Sequence, residues 1–198
     1  MDLFLFKFAT FFILVLFALF VSDIRSKAGM TPIIKKHVLL LIKMLYIIPI
    51  FVYIYLILKL ENIYLSSYLG LVANLIGTLL VIKAKLDLGK YHAWAGHILS
   101  STKIIKKGIY SYIRHPLYAG IHLFIFGGIV TGINNHPFSL FTIILILSFI
   151  FLIMLFLNIS ALKENKYLHE MFGKDYLKYK EQVHPFLPIK KYSFDENS

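Results

Sequence analysis

The feature that most constrains this chain is a series of five apolar runs, each long enough to cross a lipid bilayer. They lie at 3–21, 38–58, 65–82, 117–133 and 138–159. A hydrocarbon core of about 30 Å is crossed by roughly 17 to 25 apolar residues in a helix, so the third and fourth runs are near the minimum length. Hydrophobic residues make up 59% of the 198 residues, which excludes a soluble globular domain. The sequence therefore predicts an all-α integral membrane bundle of about five transmembrane helices.

Basic residues are concentrated in alternate connections between the apolar runs. Four lysines and arginines lie at 22–37, seven at 83–116 and seven from residue 160 onward, which accounts for 18 of the 21 in the chain. Short connections rich in lysine and arginine stay on the cytoplasmic side of a membrane. We therefore expect an outside N-terminus, a cytoplasmic C-terminus and a location in the cell (inner) membrane, with the active site facing the cytoplasm.

The formal net charge of +11 is interpreted in the same way. The basic residues flank membrane spans, where anionic headgroups attract each of them by about 1 kcal/mol. Membrane lipids, and not nucleic acids, are therefore the predicted partners. The chain has no cysteine, which excludes disulfides and thiolate chemistry, and no metal site is predicted because no histidine pair at 83–116 has helical spacing. The sequence does not define an oligomeric state.

The two halves of the chain differ, although we expect them to form a single domain without internal repeats. Residues 1–82 are three transmembrane helices. Residues 83–198 contain a cytoplasmic loop, two spans, a C-terminal tail and all but one of the histidines. Pro49 predicts a bend in the second span, and Gly173 predicts a break before an amphipathic helical tail. Function is therefore expected in the second half.

The segment GIYSYIRHPLYAG, at 108–120, places an arginine, a histidine and a proline directly before the fourth apolar run. Helical geometry is disfavoured before a proline, so Arg114 and His115 are expected to be extended and Pro116 to be the first helical residue. The helix then begins with unpaired backbone donors, a positive dipole end and a guanidinium group, which together bind carboxylates or phosphates. The alternative is that Arg114 is an interfacial anchor and His115 a helix cap.

Three further polar residues are candidates for the same site. Tyr118 and His122 are four residues apart, so they share a helix face and extend the wall that Arg114 and His115 begin. A neutral packing role for His122 is the alternative. Glu164 is the first acidic residue after 76 positions without one, and it lies where the fifth span emerges. It is expected either to pair with a lysine or to bind a hydroxyl or ammonium group of a ligand.

The loop before this motif contains the sequence LGKYHAWAGHIL, at 88–99. Long loops rich in aromatic residues and histidine are typical of functional segments. We interpret this loop as an interfacial lid, with Trp94 anchored among the lipid headgroups.

Three segments together resemble a known enzyme superfamily. They are LG at 88–89, KKGIYSYIRHPLYAG at 106–120, and a glutamate followed by FGKDYLKYKEQVHPFLP at 172–188. In combination they resemble the isoprenylcysteine carboxyl methyltransferase and phospholipid methyltransferase superfamily, over roughly residues 86–189. The chain departs from the family pattern at Asn165, where a second glutamate is usual, at 158–160, where an arginine is frequent, and at Trp94, which is displaced by two residues.

The resemblance implies a membrane enzyme that binds S-adenosylmethionine from the cytosol and methylates an acceptor. His115, Pro116, Tyr118 and Gly120 would contact this cofactor, and Glu164 would hold its ribose or its amino group. The first four belong to the RHP segment and the helix that follows it, and the last is the glutamate after the fifth span.

Two residues are expected to be catalytic. The resemblance implies that Arg114 would orient the cofactor or an acceptor carboxylate. For an acceptor that must lose a proton, the residues themselves offer His122 as a base, with His92 as the other candidate.

The expected activity is isoprenylcysteine carboxyl methyltransferase-like, that is, carboxyl O-methylation of a lipophilic or lipid-modified acceptor arriving from the bilayer. Phospholipid N-methylation and small-thiol S-methylation are alternatives with the same cofactor. A non-enzymatic transporter or structural membrane protein is the alternative from another class. The odd number of spans and the lack of an internal repeat argue against a transporter.

Overall fold

The computed structural model describes residues 1–22, 28–132 and 139–189. Within these ranges the chain is mostly helical, with one two-stranded sheet. The helices are α1 (Leu3–Val21), α2 (Lys36–Leu45), α3 (Ile47–Leu58), α4 (Leu65–Leu88), α5 (Pro116–Gly132) and α6 (Leu140–Gln182). The strands are β1 (Met30–Pro32) and β2 (His97–Leu99), and short 3-10 turns lie at Gly89–Tyr91 and Gly108–Ser111. The predicted all-α membrane bundle is confirmed.

The helices match the predicted spans closely. In the described ranges, α1, α2 with α3, α4 and α6 are long and apolar enough to cross a membrane, and α5 is shorter, with 17 residues. α4 continues to Leu88, beyond its predicted end at 82, and an ion pair between Lys83 and Asp87 spans the added turn. α6 has 43 residues, with non-helical φ and ψ at Gly173. The part before Gly173 is about 50 Å long, which exceeds a hydrocarbon core of about 30 Å. Residues 133 and 138, where the fourth apolar run ends and the fifth begins, lie outside the described residues.

The second span is interrupted at Tyr46, between α2 and α3. Pro49 is the third residue of α3, within the first turn, where a missing backbone N–H breaks no intrahelical hydrogen bond. The bend that Pro49 predicts therefore lies one turn before the proline.

Contacts at the helix ends show which connections share an end of the bundle. Lys7 Nζ donates to the Leu58 carbonyl at 2.9 Å, and the Tyr68 hydroxyl donates to the Met1 carbonyl at 3.4 Å, so the start of α1 lies beside the end of α3. At the other end β1 pairs antiparallel with β2, which joins the connection before α2 to the loop after α4. Two connections that are rich in basic residues therefore lie at the same end. Which end faces the cytoplasm stays a prediction.

Glycines allow α4 and α5 to pack with their backbones in contact. A Cβ built on Gly77 would lie 2.7 Å from the Gly120 carbonyl oxygen, and one built on Gly127 would lie 2.6 Å from the Gly70 carbonyl oxygen. Small residues at such positions let membrane helices approach closely. Gly120 therefore belongs to a helix interface, whereas the family resemblance implied that it contacts a cofactor.

Gly173 divides α6 into two helices. Its φ of 50° and ψ of −123° are non-helical and favour glycine, as the FGK sequence predicts. The hydroxyl of Tyr179 donates to the Tyr110 carbonyl at 2.7 Å, so the second part of α6 packs back against the turn that precedes α5.

Candidate active site

The end of α4 positions the segment before the RHP motif. The Asp87 carboxylate accepts a hydrogen bond from the Ile109 amide at 2.7 Å, which holds the turn at Gly108–Ser111 against α4. Gly108 has a φ of 60°, and a Cβ there would lie 2.1 Å from the Asp87 carboxylate. A side chain here would be strained by the positive φ and would displace the Asp87 carboxylate, so this glycine contributes to fixing where the following residues begin.

The C-terminal segment then holds the RHP motif in an extended conformation. Ile113 and His184 form a parallel bridge, and the amides of Arg114 and His115 donate to the carbonyls of His184 and Pro185 at 3.0 and 2.9 Å. Arg114 Nε also donates to the Val183 carbonyl at 2.8 Å. The extended geometry matches the prediction from Pro116. The guanidinium, however, binds the tail of the same chain, where the sequence predicted an external anion.

Asn165 is a shared acceptor at the centre of this arrangement. Its side-chain oxygen lies 3.2 Å from Arg114 Nη1 and 3.0 Å from His115 Nε2, and it accepts a short hydrogen bond from the Tyr176 hydroxyl. A neutral amide here accepts from the guanidinium without placing a second negative charge beside Glu164. The departure from the family pattern at this position is therefore compatible with a fully bonded site.

Glu164 faces the start of α5. The Tyr118 hydroxyl donates a short hydrogen bond to one carboxylate oxygen, and His115 Nδ1 lies 3.4 Å from the other. The rings of His115 and Tyr118 stack with a centroid distance of 5.7 Å. The RHP segment and Glu164 therefore meet, although 46 positions separate Tyr118 from Glu164 in the sequence.

These residues line one cavity, which is partly open to solvent. Its polar wall contains Arg114, His115 and Glu164, and the loop after α4 forms the opposite wall. The other lining side chains are mostly aromatic or aliphatic, and they include Tyr91, His92, His97, Ile98, Lys103, Ile105, Tyr110, Pro116, Tyr118, Leu168, Tyr176 and Tyr179. Burial raises the pKa of Tyr110 far above its ordinary value, so this phenol stays protonated. A carboxylate in a mainly aromatic cavity is suited to a ligand that combines a flat ring with hydroxyl or ammonium groups.

His122 and Gly120 are the two predicted site residues that do not line this cavity in the described part of the chain. His122 Nδ1 lies 2.7 Å from the Tyr118 carbonyl, and its ring meets Phe186 edge to face at 5.7 Å. His122 and Tyr118 share a helix face, as the sequence predicts, but Phe186 from the C-terminal segment covers the His122 end of that face. Of the two histidines considered as a base, His92 lines the cavity.

The loop after α4 is more buried than the sequence predicts. Trp94 is 8% exposed and packs in the main core beside Phe156, with ring centroids 6.3 Å apart, so it is not an anchor among lipid headgroups. Gly96, with a φ of 78°, turns the loop inward between apolar side chains.

Comparison with known proteins identifies the family. The sequence profile of a family described as "Protein of unknown function (DUF1295)" matches residues 19–183, which is most of the chain. The chain belongs to the DUF1295 family. Two relatives from Oryza sativa, subspecies indica and japonica, each named "Probable protein-S-isoprenylcysteine O-methyltransferase", are 29% identical to this DUF1295 protein over 133 residues.

A third relative, "Protein-S-isoprenylcysteine O-methyltransferase" of Saccharomyces cerevisiae, is 31% identical over 131 residues. The matches cover 66% of this DUF1295 chain and 65% of each rice protein, and 59% of this chain and 49% of the yeast protein. The chain therefore spans about two thirds or less of the length of these relatives. The resemblance to the isoprenylcysteine methyltransferase superfamily is confirmed.

The Arg114 contacts predict a specific effect of Arg114→Lys. Lysine keeps the charge but lacks the planar fork that reaches Val183 and Asn165 from two separate nitrogens, so the C-terminal segment should be held less firmly against the RHP motif. Loss of such a charged, buried hydrogen bond costs about 1.5–3 kcal/mol, so amide hydrogen exchange at Arg114 and His115 should accelerate roughly 10- to 100-fold. Lys178→Ala, an exposed lysine on the same tail, is the control and should leave exchange unchanged. Unchanged exchange in Arg114→Lys would show that the guanidinium does not hold the tail.

Proposed function

We propose that this protein is an integral membrane methyltransferase that uses S-adenosylmethionine and methylates the carboxylate of a lipophilic acceptor. The observation that carries the proposal is the meeting of Glu164 with the Arg114–Tyr118 segment around one cavity. The names of the rice and yeast relatives support the reaction class and the acceptor class.

The cavity residues fit the chemistry of this cofactor. Glu164 would hold the ribose hydroxyls or the ammonium group, and the phenol rings of Tyr91, Tyr176 and Tyr179 would enclose the adenine. Because Arg114 is bonded to the tail, Lys103 at the exposed rim is the lining cation that remains for the cofactor carboxylate. Arg114 and Asn165 would act as positioning residues that fix His115 and Tyr118.

The bound cofactor would supply an electrophilic methyl group, and the protein would supply alignment. An acceptor carboxylate is already nucleophilic at neutral pH, so its methylation needs no general base. Orientation of the reacting groups can contribute about 7–11 kcal/mol to such a transfer. An amine or thiol acceptor would require a base at the cavity, which His92 lines and His122 does not. The preference for carboxyl O-methylation over the two alternatives with the same cofactor is therefore supported by the names of the rice and yeast relatives.

The proposed orientation follows from the basic connections. Two of them lie at the end of the bundle that carries the cavity loop, and this end is proposed to face the cytoplasm, from which the cofactor would enter. The acceptor would approach laterally from the bilayer.

Two measurements test the function. Calorimetric titration of the detergent-solubilised protein with S-adenosylhomocysteine should show saturable binding with one site. Transfer of a labelled methyl group should then be seen to N-acetyl-S-farnesylcysteine, and not to phosphatidylethanolamine or a small alkyl thiol. Lack of S-adenosylhomocysteine binding would contradict the proposal and favour a transporter or structural role. Methyl transfer to the amine or to the thiol alone would show that the acceptor is not a carboxylate.

A further inference from the structure

A second cavity lies in the angle between the two parts of α6. The helix bends at Gly173, and the Tyr176 hydroxyl on the second part donates to the Asn165 side chain on the first. The cavity is partly open to solvent and shares no lining residue with the candidate active site. Its lining residues come from both parts of the helix and are Leu162, Asn165, Lys166, His169, Leu177 and Lys180.

The charge of this cavity is positive. Two ammonium groups, those of Lys166 and Lys180, line it together with the His169 ring, and no carboxylate lines it in the described ranges. Lys166 Nζ lies 3.8 Å from the Glu170 carboxylate in an exposed pair. Lys180 has no carboxylate within ion-pair distance among the residues that the structure describes. The cavity is therefore suited to an anion.

The Asn165 amide adds a neutral donor to these cations. A guanidinium group only donates hydrogen bonds, so the Asn165 atom that faces Arg114 must be the side-chain oxygen. The amide nitrogen is then the atom on the other branch of the side chain, and it has no acceptor in the described part of the chain. An amide donor beside two ammonium groups is a typical arrangement for binding the oxygens of a phosphate.

The cavity lies at the expected level of the lipid headgroups. Leu162 is about 33 Å along the helix axis from Leu140, the first residue of α6, which is just beyond a hydrocarbon core of about 30 Å. The side chains of Leu162 and Leu177 are exposed beside the cations. A free anion would gain nothing from these apolar side chains, whereas a phospholipid joins a phosphate to an apolar body.

From these observations we infer that the angle of α6 binds an anionic phospholipid. Lys166, Lys180 and the Asn165 amide hold its phosphate, and Leu162 and Leu177 contact its glycerol and acyl portion. A headgroup that has its own ammonium group finds no lining carboxylate, so phosphatidylglycerol binds better than phosphatidylcholine. Basic segments attract anionic headgroups in general, and the inference adds one defined site that depends on two particular lysines.

Asn165 connects this lipid site to the RHP motif. Its oxygen accepts from Arg114 Nη1 and lies 3.0 Å from His115 Nε2, while its nitrogen binds the lipid phosphate. Bound lipid therefore holds the Asn165 side chain from the side opposite the motif. If the openings that expose the Arg114 and His115 amides release the lipid, hydrogen exchange at these amides should slow up to about 10-fold when phosphatidylglycerol is present at about ten times its Kd.

The test titrates the full-length protein in detergent and counts bound lipid by native mass spectrometry. The ligands are phosphatidylglycerol, phosphatidylcholine with the same acyl chains, and inorganic phosphate. The wild type should bind phosphatidylglycerol about 10-fold more tightly than phosphatidylcholine, and an equal concentration of inorganic phosphate should not displace it. The double variant Lys166→Gln with Lys180→Gln should bind the two lipids equally and should lose the slowing of exchange.

The matched control is the double variant Lys163→Gln with Lys178→Gln. It removes the same charge from the same two parts of α6, at exposed positions that do not line the cavity, so it should keep the preference for phosphatidylglycerol. Both double variants should unfold at the wild-type temperature in detergent, because all four lysines are exposed.

Equal loss of the preference in the two double variants would overturn the inference, because it would show a general attraction of the basic tail to anionic lipid. Equal binding of the two lipids by the wild type would also overturn it. Displacement by inorganic phosphate would assign the cavity to a free anion, and equal slowing of exchange in both double variants would reject the connection through Asn165. None of these measurements uses a methyl donor, so their outcome is independent of the proposed function.

Discussion

Glu164→Gln is expected to weaken S-adenosylhomocysteine binding about 10- to 100-fold and to abolish methyl transfer, because a charged hydrogen bond of this kind contributes about 1.5–3 kcal/mol. Glutamine keeps the size of the side chain and can still accept from Tyr118, but it removes the negative charge that faces the cavity. The change therefore separates the charge of Glu164 from its packing.

Glu170→Gln is the matched control for this prediction. Glu170 lies on the same helix, is exposed, and pairs with Lys166 at 3.8 Å on the protein surface. Exposed pairs of this kind contribute little to stability, so we expect donor affinity and thermal stability to be unchanged. If Glu164→Gln and Glu170→Gln bind S-adenosylhomocysteine equally well, Glu164 does not belong to the donor site.

Gly127→Ala is expected to destabilise the protein by about 3 kcal/mol or to prevent folding, since overpacking of a close interface cannot relax when the neighbours are backbone atoms. The added Cβ would lie 2.6 Å from the Gly70 carbonyl oxygen and 2.8 Å from the Asn74 amide nitrogen on α4. Those atoms can yield only if α4 and α5 separate. Separation would also move the start of α5, which carries the RHP motif.

The adjacent glycine gives the control for this effect. A Cβ on Gly128 would lie 3.5 Å from the Tyr53 ring, which is ordinary van der Waals contact. Gly128→Ala should therefore change the unfolding temperature in detergent by less than about 2 °C, whereas Gly127→Ala should lower it strongly or yield aggregated protein. Equal stability of the two variants would show that the α4–α5 backbones do not pack as closely as described.

The transmembrane spans and the residues of the site could both be predicted from the sequence, for different reasons. Apolar runs predict membrane helices because no other unit of that length satisfies its backbone in lipid. Pro116 predicts an extended residue before a helix start, and the structure follows this local rule. The Arg114 guanidinium, however, binds the C-terminal segment and not an external anion. The isolated position of Glu164 in the sequence marked it as a candidate without reference to any contact.

The contacts made by Arg114 and His122 could not be predicted from the sequence, because they depend on where the C-terminal segment packs after Gly173. Gly173 predicts that α6 breaks, but the direction after the break follows from the packing of Tyr176 and Tyr179. That packing places Val183 beside Arg114 and Phe186 beside His122. Analysis of the RHP motif alone therefore overestimated how many of its hydrogen-bond donors are free to bind a ligand.

Asn165 and Trp94 illustrate a second limit. Asn165 was noted only as a departure from a family pattern, and its role as a shared acceptor depends on Arg114 and His115 of the RHP motif converging with Tyr176 of α6. Trp94 follows the interfacial preference of tryptophan on average, but Gly96 turns the loop toward Phe156 and buries the ring. Average preferences do not predict such a tertiary override.

The most direct test of the central claim is a structure of the protein bound to S-adenosylhomocysteine in a lipid environment. The account predicts that the ligand occupies the cavity between Arg114–Tyr118 and the loop after α4, with the Glu164 carboxylate within hydrogen-bond distance of its ribose or ammonium group. A ligand bound elsewhere on the bundle, with Glu164 still bonded only to Tyr118 and His115, would contradict it.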